Sequence, residues 1–219
     1  MISRRAINTL AVLAAVTWLL PALPSRGQGT IVYHLYDPPL NYAGVPVPPY
    51  NLREVDMNFD GRPDFTIRAG PAQVDVLMAD YNRVIALPVL PPDIGSYVVP
   101  LAQGSHIGAS LDPVISWVGT NDSPGYASMS ACFDAGCAGL WVGLDAYMGV
   151  QLESNGATQY GWIRILNGGM GSVGYIYEWA YDTRPGAPIL AGAVPEPSVF
   201  ALFGAAGTAI WFVRQKKRI

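Results

Sequence analysis

The residues best suited to chemistry lie in one acidic segment, 56–64, with the sequence Asp-Met-Asn-Phe-Asp-Gly-Arg-Pro-Asp. Four oxygen-bearing side chains occupy its positions 1, 3, 5 and 9: Asp56, Asn58, Asp60 and Asp64. In a looped cation site alternate residues point inward, and a glycine at position 6 allows the sharp turn between them. The backbone carbonyl of Arg62 would supply a further oxygen at position 7. The spacing therefore predicts a structural Ca²⁺ site.

The surrounding residues narrow the type of calcium loop. Ile67 stands at position 12, where an EF-hand has a bidentate glutamate, so the segment is not an EF-hand. It resembles the Asp-x-Asn-x-Asp-Gly-x-x-Asp loops that join strands in other extracellular β proteins, where the ninth-position aspartate closes the ligand shell. The alternative is turn chemistry alone, because Asp, Asn and Gly are turn residues whose side chains hydrogen-bond their own backbone.

The chain has two cysteines, Cys132 and Cys137, in the sequence Cys-Phe-Asp-Ala-Gly-Cys. Outside the cytoplasm two nearby thiols usually oxidise, and Gly136 lets so short a loop turn back on itself. We therefore predict a disulfide. A pair of free thiols is the alternative, and a metal site is disfavoured because His34 and His106 are distant in sequence.

No residue is assigned a catalytic role. Neither histidine lies in a nucleophile or metal motif, so serine, cysteine and zinc hydrolase schemes lack their parts. Glu153 and Glu178 are available for glycoside cleavage, but nothing in the sequence places two carboxylates across a cleft. We expect a protein that is not an enzyme.

The elements that position these residues have the two-residue period of strands. Runs rich in Val, Ile, Tyr and Trp predict strands at 30–36, 64–68, 73–78, 83–87, 114–118, 140–152, 159–166 and 173–181. Asn155-Gly156 predicts a hairpin with a type I′ turn. The prolines between residues 38 and 49 predict a long surface loop, and a linker between two domains is the alternative. The fold class expected is all-β, an antiparallel β-sandwich of jelly-roll type, with helix only in an N-terminal signal segment and a C-terminal transmembrane segment.

Alternating aromatic residues mark the last predicted strand: Tyr175, Tyr177, Trp179 and Tyr181. In a regular strand all four side chains would point to one face. We expect this face to be the inner side of the sandwich. The alternative is an exposed stripe on which sugar rings stack.

The N-terminus has the layout of a secretory signal peptide. Arg4 and Arg5 precede an apolar stretch at 6–20, and small residues follow, with cleavage after Gly27 or Gly29. We expect this segment to engage the export machinery. An N-terminal anchor that is not removed is the alternative.

The C-terminus has three parts in a fixed order. Pro195-Glu196-Pro197 comes first, and an apolar segment, 198–213, follows. This segment would span roughly 24 Å as a helix, slightly less than a hydrocarbon core of about 30 Å. A basic stop then holds the end in the cytoplasm: Arg214, Lys216, Lys217 and Arg218. We predict a temporary transmembrane anchor.

This tail resembles the PEP-CTERM sorting signal of Gram-negative bacteria in its motif, its apolar helix and its basic terminus. The resemblance implies recognition by a membrane-embedded cysteine transpeptidase of the exosortase class. It also implies removal of the helix and release or attachment at the outer surface, often in species that make exopolysaccharide.

The predicted organisation is a signal peptide at 1–27, a β-sandwich at 28–186, a linker with the sorting motif at 187–197, a transmembrane helix at 198–213 and a basic tail at 214–219. Without its two ends the body keeps six arginines, no lysine and fifteen acidic residues, a net charge of about −9. Such a body is a poor nucleic-acid binder. We expect a precursor anchored in the inner membrane that becomes a cell-surface or extracellular-matrix protein. A carbohydrate-binding module for exopolysaccharide and a polysaccharide-active hydrolase are the alternatives.

Overall fold

A computed structural model describes residues 31–43, 50–71, 73–88, 95–122, 125–133, 136–154, 156–168 and 173–195. Within these ranges every regular element is a β-strand, which confirms the all-β prediction. No helix of the described residues is long and apolar enough to cross a membrane. The predicted signal peptide, transmembrane helix and basic stop lie outside the described residues.

The described residues form fifteen strands. They are β1 (Ile31–Ala43), β2 (Asn51–Val55), β3 (Phe65–Ala69), β4 (Gln73–Met78), β5 (Arg83–Pro88), β6 (Ser96–Val98), β7 (Pro100–Leu101), β8 (His106–Ile107), β9 (Ser116–Gly119), β10 (Tyr126–Phe133), β11 (Gly136–Ala138), β12 (Asp145–Ser154), β13 (Ala157–Asn167), β14 (Val173–Asp182) and β15 (Ile189–Leu190).

Ten strands form one continuous sheet in the order β1-β14-β13-β12-β5-β6-β10-β4-β3-β2, with β7, β9 and β11 paired at its sides. Its neighbours are antiparallel except β6 and β10, which run parallel where Tyr97 pairs with Ser128. The two end strands approach each other, since Arg53 Nε of β2 donates a hydrogen bond to the Asn41 carbonyl of β1 at 2.5 Å. The mixed sheet is therefore nearly closed into a barrel.

The barrel interior holds the main hydrophobic core. Inward side chains alternate along each strand, as a period of two requires. They include Phe65, Ile67, Val76, Val150, Ile163, Ile165, Ile176 and Trp179. Burying each large side chain of this kind contributes about 1.5–3 kcal/mol relative to leaving it exposed.

The first part of the strand predicted at 140–152 is a turn that packs against this core. Residues 140–144 form turns, and β12 begins only at Asp145. Trp141 points inward with no exposed surface, and its Nε1 donates to the Val98 carbonyl at 2.9 Å. Gly139 precedes it with a φ of +110°, a value that side chains disfavour. The chain bends here because the indole ring fills the core.

A second hydrophobic cluster lies on the outer face of the β12–β14 wall. We call it the outer cluster; its buried members are Ile85, Ile107, Tyr160, Trp162, Ala180, Ile189 and Ala191. Trp162 and Ile163 are neighbours in β13 but belong to different clusters, because successive side chains of a strand point to opposite faces. Trp117 stacks on Tyr160 at 5.5 Å between ring centroids. This wall is therefore covered on both faces.

The proline-rich stretch differs in part from the expected loop. Strand β1 continues through Pro38 and Pro39 to Ala43, with a register shift between Leu35 and Leu40. Proline cannot donate to a strand ladder, so it is tolerated on an end strand and at a bulge, and β1 provides both. Residues 44–49 lie outside the described residues.

The predicted β-hairpin is confirmed. Strands β12 and β13 pair in one unbroken register that ends with Ser154 opposite Ala157. Gly156 has a φ of +74°, as the second residue of a type I′ turn requires.

Candidate functional site

The acidic segment forms the connection between β2 and β3, which pair up to Val55 and Phe65. Its backbone is folded around its own side chains. Asp56 Oδ2 accepts from the Gly61 N–H at 2.9 Å, Asn58 Oδ1 accepts from the Asp60 N–H at 2.9 Å, and Asp60 Oδ1 accepts from the Arg62 N–H at 2.8 Å. All five residues predicted to be ligands, Asp64 included, therefore belong to one closed loop.

Asp64 anchors this loop to the barrel. It is 7% exposed, and its Oδ2 accepts from the N–H groups of Met57 at 2.8 Å and Asn58 at 3.3 Å. Its Oδ1 accepts from Asn82 Nδ2 at 3.0 Å, and Asn82 Oδ1 in turn accepts from the Glu153 N–H at 2.9 Å. Burial raises the pKa of Asp64, although the donors from Met57 and Asn82 oppose the shift.

The centre of the loop has the polarity that suits a cation. Asn58 Nδ2 lies 3.2 Å from Asp60 Oδ2 and 3.5 Å from Asp64 Oδ1, so the amide hydrogens occupy the space between two carboxylates. Asp56 Oδ1 is buried without a hydrogen-bond partner. In the described part of the chain no three His, Cys, Asp or Glu side chains form a ready metal centre. Calcium binding would require the Asn58 amide to turn its oxygen inward, and the ion itself would then be the partner of Asp56 Oδ1.

An aromatic contact that the sequence did not reveal holds the tip of the loop. Phe59 is 65% exposed and has a φ of +59°, yet its ring lies 5.4 Å from Trp179 and 6.2 Å from His34. His34 stacks on Trp179 at 5.3 Å and meets Tyr36 at 4.6 Å. His34 therefore serves as an aromatic contact between the loop and the β1–β14 pair.

The two glutamates considered for glycoside cleavage act as hydrogen-bond acceptors in the sheet. Glu153 Oε1 accepts from Thr158 Oγ1 at 2.5 Å. Glu178 Oε2 accepts from Tyr33 Oη at 2.6 Å, and Glu178 Oε1 pairs with Arg164 at 3.3 Å. Arg164 also binds Asp145 through two bonds of 3.0 and 2.8 Å.

A fully buried carboxylate, Asp75, is likewise engaged. It accepts from Arg68 at 2.6 Å, from Gln73 at 2.8 Å and from Ser128 at 2.9 Å. Such a pair costs desolvation and is stable only when its remaining lone pairs are used, as they are here. With all three of these donors in place, Asp75 and Arg68 form a structural ion pair.

The aromatic stripe of β14 is split by a bulge. Arg164 pairs with Glu178 and Ile165 with Ile176, so Tyr177 has no cross-strand partner. Trp179 and Tyr181 lie in the interior core, as expected. Tyr175 and Tyr177 instead stack on each other at 6.3 Å, with the Arg164 guanidinium 5.1 Å from the Tyr177 ring. An extra residue reverses the facing of a strand, and sequence periodicity does not show it.

The cysteine residues face each other in the backbone ladder. Strands β10 and β11 pair with Cys132 opposite Cys137, a placement that a cross-strand disulfide requires. Their side chains lie outside the described part of the structure, so the disulfide stays a prediction.

The segment expected to be a linker begins as part of the body. β15 pairs with β8, and Trp162 Nε1 donates to the Ala193 carbonyl at 3.2 Å. Pro195 is described and exposed. Glu196 and Pro197 lie outside the described residues.

Searches against protein-family models, curated proteins and solved structures find no match to this chain. The resemblance of the C-terminal tail to a sorting signal therefore rests on the residues of the tail alone, without support from a related protein.

The ion pair at the end of β14 predicts a pH dependence of stability. Burial alone would raise the pKa of Asp182, but hydrogen bonds from the side chain and backbone of Arg184 hold it below its ordinary value of 3.8. A carboxyl group whose pKa is lower in the native state than in the unfolded state stabilises the fold at pH values above its unfolded pKa. This stability is lost as the pH falls through the native pKa. We expect Arg184→Gln to lower the melting temperature at pH 7 and to have little effect at pH 2.

Thermal unfolding followed by circular dichroism at both pH values measures this effect. Arg83→Gln, at an exposed arginine of β5, removes the same charge as a control. An equal loss for Arg184→Gln at both pH values would contradict the prediction.

Proposed function

We propose that this chain is an exported, non-catalytic protein of the cell surface or extracellular matrix, sorted through its C-terminal PEP-CTERM-like signal. The observation that carries the proposal is the position of the signal, which begins two residues after Ala193, where the described part of the chain is still bonded to the body. The interior of the barrel is filled with apolar side chains. The buried carboxylates Asp64, Asp75 and Asp182 bind backbone N–H groups, a hydroxyl and arginines, which supports a structural role for them.

We also propose that the nearly closed barrel is a jelly-roll-like antiparallel sandwich. All neighbouring strands in the main sheet except β6 and β10 are antiparallel. Ile67 and Val76 on one wall and Ile163 and Ile165 on the other belong to the same interior cluster. Strands from different parts of the sheet thus pack against each other through one interior, as the two sheets of a sandwich do.

The proposed route begins with export of the unfolded chain through its signal peptide. The apolar segment 198–213 then holds the precursor in the inner membrane with its basic end in the cytoplasm. An exosortase-type enzyme attacks a backbone carbonyl near the motif with a cysteine thiolate, and the helix leaves with a free amine. Water or an amine acceptor then resolves the thioester and releases or attaches the body outside the cell.

Mass spectrometry of the surface form tests the sorting proposal. We expect a body without residues 1–27 and without the apolar helix. Replacing Glu196 with Ala should leave a membrane-bound precursor that keeps its helix, because the motif is altered and the anchor is not. Glu54→Gln, at an exposed glutamate of β2, should be processed normally. Full-length protein with both ends intact in the cytosol would overturn the proposal.

We also propose that calcium stabilises the body through the acidic loop. Four side chains with oxygens in the predicted pattern already lie in one closed loop. The buried oxygen of Asp56, which has no hydrogen-bond partner, supports the proposal most directly. The ion would hold Asp56, Asn58, Asp60 and Asp64 around one centre and so fix the β2–β3 connection to the barrel.

Calcium titration of the released body tests this site. With a Kd of about 10⁻⁴ to 10⁻³ M, as in extracellular modules, 10 mM Ca²⁺ should stabilise the wild type by about 1.4–2.7 kcal/mol. Asp56→Asn should abolish most of this gain, because one carboxylate ligand is lost without a change in shape. Glu54→Gln is the matched control outside the loop. If calorimetry detects no heat of calcium binding and EDTA does not change the melting temperature, the calcium proposal is wrong.

Carbohydrate binding is the second candidate function, favoured by the outward tyrosines of β14. Tyr175 and Tyr177 lie beside Arg164 and Asp145, whose side chains are 36% and 40% exposed. Aromatic rings with adjacent charged hydrogen-bonding groups are a suitable combination for a sugar ring, which has apolar faces and polar edges.

Affinity electrophoresis in the polysaccharide of the producing cell tests this candidate. Tyr177→Ala should weaken retention by at least ten-fold, since aromatic anchors commonly contribute about 2 kcal/mol or more. Tyr81→Ala, at a tyrosine that is 68% exposed elsewhere on the barrel, should not. Equal retention of both variants would exclude the β14 tyrosines as the binding surface.

A further inference from the structure

The last described residues of the body form a narrow cover over the outer cluster. We call residues 187–193 the strap. Ile189 and Ala191 are 4% and 2% exposed and belong to the outer cluster. The Ala191 N–H donates to the Ser105 carbonyl at 2.9 Å, and the Ala191 carbonyl accepts from the Gly104 N–H at 2.8 Å. The strap is thus held by backbone bonds to the segment 104–107 and by the burial of two side chains.

The final anchor is the carbonyl of Ala193. It accepts a hydrogen bond from Trp162 Nε1 at 3.2 Å, and the Ala193 N–H donates to the Leu190 carbonyl at 2.9 Å. Val194 is 45% exposed, and Pro195 is exposed. The chain therefore leaves the wall immediately before the sorting motif.

This geometry limits the reach of the motif. From Ala193 to Ser198, where the apolar segment begins, the chain has five residue steps, which span at most about 16–18 Å when extended. An enzyme that grips the motif as an extended strand must approach it from more than one side. With the strap seated, this length is all the chain that lies between the body and the apolar segment.

We propose that the strap gates the processing of the sorting motif: cleavage requires residues 187–193 to leave the outer cluster, and the seated strap protects the motif. This inference rests on the proposed sorting function. Detachment as far as Gly186, which has a φ of +67°, would add seven residues, or roughly 24 Å of extended chain. Segments with few buried contacts open locally at lower free energy than the core, and cleavage then follows the open population.

A disulfide lock across β8 and β15 tests the gate. His106 and Leu190 are direct cross-strand partners, and both are exposed. Cysteines at such a pair are within reach of a disulfide. We expect the precursor carrying His106→Cys and Leu190→Cys to be trimmed at least ten-fold more slowly in membranes that contain the transpeptidase. Reductant should restore the wild-type rate, and wild-type precursor with and without reductant is the control.

Loosening the strap should have the opposite effect. Ile189→Ala removes apolar contact from the outer cluster, and Trp162→Phe removes the hydrogen bond to Ala193 while keeping an aromatic ring. Both should speed trimming several-fold and speed amide exchange at Ala191. Ile163→Ala, on the interior face of the same hairpin, destabilises the barrel without touching the strap and should leave trimming unchanged.

The outcomes separate the two proposals. A locked precursor that is trimmed at the wild-type rate overturns the gate and leaves the sorting function intact. Equal acceleration by Ile163→Ala and Ile189→Ala also overturns the gate, because global unfolding would then be the cause. A wild-type precursor that is never trimmed overturns the sorting function and the gate together.

Discussion

The structure depends on closing a sheet whose two ends meet through side chains. Strands β1 and β2 stand at opposite ends of the sheet order, and Arg53 joins them by its bond to the Asn41 carbonyl. The rings of Phe59, His34 and Trp179 add an apolar contact across the same seam. Closure protects strand edges that would otherwise be open to pairing with other chains. It also brings the β2–β3 loop against β1 and β14.

Asp64 makes that loop part of the barrel. Its carboxylate receives bonds from the loop backbone and from Asn82, and Asn82 continues the network to the Glu153 N–H. The raised pKa shows that burial outweighs these donors, so the charge is held at a cost. A cation in the loop would offset this cost by acting on the charged form. The proposed calcium site and the attachment of the β2–β3 loop to the barrel therefore depend on the same carboxylate.

The sequence predicts correctly those strands whose residues have a high intrinsic β-propensity. Runs such as 73–78 and 159–166 are rich in Val, Ile and Trp, and they match β4 and β13 closely. It missed β10, whose sequence Tyr-Ala-Ser-Met-Ser-Ala-Cys-Phe is largely small residues. That strand is held by its neighbours, antiparallel to β4 and parallel to β6, and long-range pairing of this kind leaves little local signal.

For the candidate sites, too, the sequence predicts what local residues determine and misses what depends on pairing with distant strands. The spacing of the acidic segment was enough to bring its oxygens into one loop, because a turn dictates the facing of nearby residues. The same residues make both a good turn and a calcium loop, so the sequence did not distinguish them. The buried Asp56 oxygen became visible only in the folded structure. Likewise, the bulge at Tyr177 moves two tyrosines outward, and its cause is the pairing with β13 and not the residues of β14 alone.

The outer face of the β12–β14 wall depends on the end of the body for its cover. Trp162 and Tyr160 point away from the barrel interior and would form an exposed apolar patch without a cover. Residues 187–193 supply part of that cover, and the sorting motif follows directly. The same seven residues can complete the outer cluster or lengthen the chain before the Pro-Glu-Pro segment, but they cannot do both at once. If that segment is processed as proposed, the local stability of the outer cluster opposes its processing.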